Sequence, residues 1–179
     1  MSVINVAPKK RVNDNEFAMH EVLFVTNNDV FRRIRFAFDF NDSKMTAIFS
    51  QADCEVTREE ISDWLKKDDD LAFKKLSDLQ LAIFMNGLIN DCRGKKEGVQ
   101  PAPEKRMNNN IILRKLKIAL DLKAEDVLEI LGLTEVSISK HELSAFFRKP
   151  GHKHFRECKD QVLRNFLEGM QLKYRNTKD

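Results

Sequence analysis

At 179 residues the chain has room for one ordinary domain or two small ones. Its 42% hydrophobic and 33% charged residues, with only 6 Gly and 4 Pro, exclude a disordered or low-complexity polymer and suit a compact helical protein. A net charge of +3 does not mark the whole chain as polybasic, and the three Cys follow no disulfide or metal spacing; no run approaches the roughly 20 apolar residues of a membrane span, so a cytoplasmic protein without a membrane partner is expected.

Residues 1–26 lack amphipathic pattern and are expected to form a disordered N-terminal extension, with the natural start near Val25. From Asn27 the text becomes periodic. "NNDVFRRIRFAFDF" begins there and "NNNIILRKLKIALDL" begins at Asn108, and a constant offset of 82 aligns 27–89 with 109–171 without a gap. Identical pairs include Arg32/Arg114, Asp39/Asp121, Ile48/Ile130, Glu60/Glu142, Asp78/Asp160 and Gly87/Gly169; most other apolar positions exchange for apolar ones, as in Trp64/Phe146. The chain is a tandem duplication, read as helical repeats 27–89 and 109–174 with a linker over 90–108 and a tail over 175–179.

Each repeat predicts four helices. The first, over 29–40 and 111–122, has apolar residues at 3.6 spacing (Val30, Phe31, Ile34, Ala37, Phe38) and a basic polar side. The second is expected over 43–52 and 124–134, with acidic residues in the first turn of the second copy. The third opens on a capping box in both copies, Thr57-x-x-Glu60 and Ser139-x-x-Glu142. The fourth, over 77–90 and 159–174, contains Gly87 or Gly169, a pair that suggests a close helix crossing, with a kink equally allowed. Between the copies, "CRGKKEGVQPAPEKRMNN" has the composition of an exposed connector. The fold class is therefore all-α: two homologous four-helix repeats, each with a helix-turn-helix-like core, packed together.

Chemistry is harder to place. His152, His154 and Cys158 offer soft metal ligands, yet Cys158 aligns with Leu76 and Cys54 with Val136, so both cysteines occupy apolar positions; no fourth ligand and no orienting group for a thiol nucleophile is evident. No phosphate-binding glycine loop occurs. Neither a cofactor nor a metal is expected, and the chain reads as a non-enzyme.

Charge is asymmetric between the copies. Residues 27–89 hold nine Lys/Arg against twelve Asp/Glu, and 109–171 hold eleven against nine, so an anionic partner should prefer the second repeat. The order of a basic helix, a short helix ending "EILGL" and a capped helix "SKHELSAFF" resembles the phage-repressor type of helix-turn-helix, a family in which the third helix enters the major groove. On that helix Lys140, Ser144 and Arg148 form a stripe at i, i+4, i+8, matched by Arg58, Ser62 and Lys66. Candidate nucleic-acid contacts are thus Lys140, Ser144, Arg148, Lys149, Lys153 and Arg156, with Arg58 and Lys66 subsidiary. As a solvated helix face with basic residues near the negative helix end the stripe needs no ligand, and Glu59, Asp63 and Asp68 to Asp70 would oppose DNA in repeat 1. DNA or RNA is the leading partner class; a protein adaptor or homodimer is the alternative.

At "NNDVFRRIRFAFDF", "EVTREEISDWLKKDDD", "RGKKEG", "NNNIILRKLKIALDL" and "SKHELSAFFRKPGHKHFRECKDQVLRNFLEGMQL", the sequence resembles the YehS-like family of uncharacterised bacterial proteins, a tandemly duplicated domain of unknown function. The resemblance covers Thr26 onward and implies a small bacterial cytoplasmic protein. It supplies no functional residues.

Overall fold

The computed structural model describes residues 24–134 and 136–175, so the expected extension, apart from Phe24 to Thr26, lies outside the described residues. Among the described residues there are helices and no strands. Repeat 1 comprises α1 (Asn27–Phe38), α2 (Asp42–Ser50), α3 (Arg58–Leu65) and α4 (Asp78–Arg93); repeat 2 comprises α5 (Asn109–Ala119), α6 (Ala124–Gly132), α7 (Lys140–Phe146) and α8 (Asp160–Arg175).

Local chemistry sets most of these boundaries. Both expected capping boxes form, and two more appear at Thr26/Asp29 and Ser77/Gln80. Thr26 therefore belongs to the fold and not to the extension, and α1 starts two residues earlier than its periodicity predicts. The first helices end early too. Asp39 and Asp121 take left-handed conformations, φ 55 and 53, and turn the chain where the pattern alone predicts continued helix.

Within each repeat the second helix packs against the third and fourth, and between repeats α1 packs along α8 while α4 packs along α5. Both contacts pair the first helix of one repeat with the last of the other. One hydrophobic cluster runs through both repeats. In repeat 1 its centre is aromatic, with Phe31 edge-on to Phe84 at 4.8 Å and to Trp64 at 6.2 Å. Repeat 2 places Leu113, Leu131, Phe146 and Phe166 at the positions of Phe31, Phe49, Trp64 and Phe84, all of them buried.

The paired asparagines that open each repeat hold this arrangement. Asn28 is 1% exposed; its Nδ2 donates to Trp64 O at 2.8 Å and Lys74 O at 3.0 Å, while its Oδ1 accepts from Leu76 N–H at 2.9 Å. Asn110 repeats the clamp on Phe146 O at 2.9 Å, Arg156 O at 2.8 Å and Cys158 N–H at 3.0 Å. Their neighbours reach the start of the fourth helix: Asn27 donates to Leu76 O and Asp78 Oδ1, and Asn109 to Cys158 O and Asp160 Oδ1. The loop between the third and fourth helices is thereby tied at both ends to the first helix.

The glycine pair marks close crossings, as the sequence suggests. A Cβ on Gly87 would collide with the Ile48 carbonyl of α2, and one on Gly169 with the Ile130 carbonyl of α6. Gly169→Ala should therefore destabilise the protein by about 1–3 kcal/mol in urea unfolding. Gly132→Ala, where an added Cβ meets nothing within 4 Å, should be neutral or stabilising by up to about 1 kcal/mol. Equal midpoints for the two variants would remove the steric account. Asn110→Ala strands two carbonyls and an N–H and should cost at least about 3 kcal/mol. Amide exchange should rise first in 147–159, and protection unchanged there would refute the clamp.

Candidate functional site

The loop over 147–159, with the end of α7, is the most basic surface segment, holding five Lys/Arg against one acid; its repeat 1 counterpart, 65–77, holds four against three. The asparagine clamp fixes the loop backbone from beneath, and the helix-one arginine fixes its entry. Arg114 Nη2 donates to Phe147 O at 3.1 Å, and Arg32 Nη1 to Lys66 O at 2.6 Å. These arginines, read from the sequence as a basic helix face, cap the carbonyl ends of α7 and α3.

The expected stripe does not exist as one helix face. Helix α7 ends at Phe146 and α3 at Leu65, so Arg148 and Lys66 lie in the turns that follow. Lys140 and Arg58 are spoken for by the second helix: Lys140 Nζ pairs with Glu125 Oε1 at 2.5 Å, and Arg58 Nη2 donates to Ser43 Oγ at 2.8 Å. Glu125 and Ser43 are themselves equivalent positions of the two repeats. Ser144 Oγ donates to His141 O at 2.8 Å.

Arg148, Lys149, Lys153 and Arg156 do cluster around the loop, and the repeat comparison shows how their surroundings differ. In repeat 1 the buried Asp63 carboxylate, 5% exposed, receives Lys66 at 2.7 Å and Lys74 at 2.8 Å. Arg32 is paired with Asp29 at 2.8 Å and Asp68 at 3.1 Å. Repeat 2 keeps the cations as Arg148, Arg156 and Arg114 but carries Ala145, Ile111 and Pro150 in place of the three acids. Glu59, Asp69 and Asp70 likewise become His141, Gly151 and His152, and Leu71 becomes Lys153. Among the described residues, none of Arg114, Arg148, Lys149, Lys153 and Arg156 has an ion-pair partner. The acids that remain nearby are committed: Glu142 caps Ser139 through N–H and Oγ at 2.9 and 2.8 Å, and Glu157 pairs with Lys159 at 3.1 Å.

Sequence reasoning found the basic loop and missed the two features that explain it. The Asn-Asn pair was visible as an in-register repetition, and the loss of Asp63 was visible in the alignment of the copies. Neither has a local signature of burial. The cysteines behave as their apolar alignment predicts. Cys158 is 4% exposed, and burial, with the Asp160 charge adding to it, pushes its thiol up to about 12. Burial also raises Cys54 and Cys92, so no thiol is activated. His152 Nδ1 accepts the His154 N–H at 3.1 Å and so closes the loop tip.

Two tandem copies of one helical unit, exchanging their outer helices, define an all-α duplicated-repeat protein. Both copies match the family described as "Protein of unknown function (DUF1456)", at residues 27–94 and 109–176, and the chain belongs to that family. It is 44% identical to "Uncharacterized protein YehS" of Escherichia coli (strain K12) over 146 residues, which is 80% of this chain and 93% of that protein. No solved structure matches. No described helix is long and apolar enough to cross a membrane.

Asp63 makes the difference between the copies measurable. Hydrogen bonds from Lys66 and then Lys74 hold its carboxyl below the usual 3.8. A depressed folded pKa stabilises above the unfolded value, and that contribution is lost as pH falls through the folded value. From about pH 5 to pH 2 the urea midpoint of the wild type should therefore fall further than that of Asp63→Asn. Parallel declines would show that the buried Asp63 carboxylate and its two lysines contribute nothing to acid stability.

Proposed function

We propose that this protein is a non-enzymatic nucleic-acid-binding protein whose phosphate-contacting surface is the 147–159 loop of repeat 2 together with the end of α7. The carrying observation is the loss of acids around a retained set of cations, which leaves Arg148, Lys149, Lys153 and Arg156 without ion pairs, Arg156 lying near the Glu142 carboxylate, where repeat 1 neutralises its own. Cations so placed bind a polyanion by releasing its condensed counterions, and phosphate contact carries no base information. The binding is therefore salt-sensitive and largely indifferent to sequence.

Helix α7 has a subordinate role in this reading. It has seven residues, and Lys140 is held by Glu125, which leaves His141 and Ser144 as its exposed contacts. Lys66 and Arg58 are engaged within repeat 1 and take no phosphate. The Cys158 thiol, buried and raised by that burial and by the Asp160 charge, is a poor nucleophile, in keeping with the non-enzymatic part.

Fluorescence anisotropy of the full chain with labelled duplex DNA and single-stranded RNA, titrated in salt, tests the proposal. Lys149→Glu with Arg156→Glu should weaken binding by about tenfold or more at low salt and flatten the duplex salt slope by about two. Ala145→Asp with Pro150→Asp, which restores the repeat 1 pattern, should act in the same direction without reversing a cation. Absence of binding at low salt, or binding indifferent to both variants, overturns it. A protein partner that survives nuclease treatment would instead favour the adaptor.

A further inference from the structure

The connector between the repeats is more than a tether. After α4 it folds back over α4 and α5. Asn86 Nδ2 donates to Pro101 O at 3.4 Å, Asn90 Nδ2 to Gln100 Oε1 at 3.4 Å, and Gln100 Nε2 to Lys96 O at 2.7 Å and Gly98 O at 3.2 Å. Lys115, only 8% exposed, pairs with Glu104 at 2.9 Å and donates to Asn86 Oδ1. The connector is exposed over 92–99, as its composition predicts, while Gln100, Pro103 and Glu104 are half-buried where these bonds hold its middle against the helices. Connector, α4 and α5 together enclose a cleft of about 610 Å³, within the span of roughly 300–1,000 Å³ usual for small-molecule sites.

The equivalent place on the α1 and α8 side is built differently. Arg175, the counterpart of Arg93, lies over the Phe36 ring at 3.7 Å and donates to Phe36 O at 2.8 Å, and among the described residues no connector crosses. Phe36 is the counterpart of Ile118. A smaller depression of about 330 Å³, with Arg32, Arg35, Phe36 and Arg175 in its lining, lies there in place of the connector-walled cleft.

Its lining is apolar with a residual positive charge. Helix α5 lines it with Ile111, Arg114 and Ile118 at i, i+3 and i+7 and α4 with Ile89, while Val99 of the connector stands fully exposed at its rim. Two of the cations are neutralised in place, Arg93 by Asp121 at 2.8 Å and Lys115 by Glu104. That leaves Arg114 and Lys96 against Glu97. Arg114 gives one N–H to Phe147 O and keeps the rest of its five donors. We infer that the cleft binds a small organic anion with an apolar body, its acid group on Arg114 and its body between Ile111, Ile118 and Ile89. The inference is independent of the nucleic-acid reading, because none of the loop cations lines the cleft.

Anilinonaphthalene sulfonate, a fluorescent amphipathic anion, is the probe, titrated into the full-length folded protein without nucleic acid. One molecule should bind per chain with blue-shifted emission, and octanoate should displace it while octanol does not. Ile118→Glu, at a position 47% exposed, should weaken it by about tenfold with helicity unchanged, by placing a carboxylate against the apolar body. Phe36→Glu, at the matched position 49% exposed, should leave it unchanged, as should Lys149→Glu. The inference is overturned by non-saturable binding, by octanol competing as well as octanoate, or by equal effects of Phe36→Glu and Ile118→Glu.

Discussion

A single buried amide in the first turn of each repeat is the constraint on which the rest of the structure depends. Asn28 and Asn110 each join the first helix to the end of the third and to the strand-like return before the fourth. The task needs a group that donates twice and accepts once in a small volume, and a carboxamide supplies that without a charge. Once the return segment is fixed, the fourth helix starts in a defined place and can lie against the second closely enough for Gly87 and Gly169 to be required. Buried polar groups fully satisfied in this way specify one arrangement over its neighbours.

Anchoring the loop from beneath has freed its upper side to diverge. The cations there have a structural reason to persist: Arg32 and Arg114 both satisfy carbonyls at helix ends, whatever lies outside them. Acids such as Asp63 and Asp68 have no such backbone duty; they balance charge and nothing else. Replacing them gives up the stability that the Asp63 carboxylate contributes but no backbone hydrogen bond, and it changes the sign of the surface. Two copies of one fold thus carry opposite electrostatic characters on the same frame.

Much of the fold was legible because its determinants are local. Hydroxyl and carboxylate three residues apart, apolar spacing near 3.6 and a glycine repeated in register all act within one or two turns. The Lys140, Ser144 and Arg148 stripe failed for the opposite reason: α7 stops at Phe146 with neither glycine nor proline to announce it, under a loop clamped from another helix. Asn110 reads as an ordinary polar residue beside a cap, since burial is a property of the partners and not of the residue. The exchange of outer helices was equally hidden. A stripe such as Val30, Phe31 and Ile34 is buried whether it meets its own repeat or the other one. The cleft escaped too, since a Gly- and Pro-containing connector gives no sign of which side chains will hold it down.

The exchange of outer helices also sets an order of events during synthesis. Helices α4 and α5 are neighbours along the chain and can meet as soon as both have left the ribosome. Among the described helices α1 is the first to emerge, and α8, against which it packs, is the last. Until α8 arrives, the side of α1 that faces it, where Phe38 meets Tyr174 at 5.2 Å, has no cover. Early local pairing and one late, distant closure is a pattern that slows folding and exposes apolar surface on the way. Among the described helices, the cover of α1 by α8 therefore forms only in a chain translated as far as Arg175.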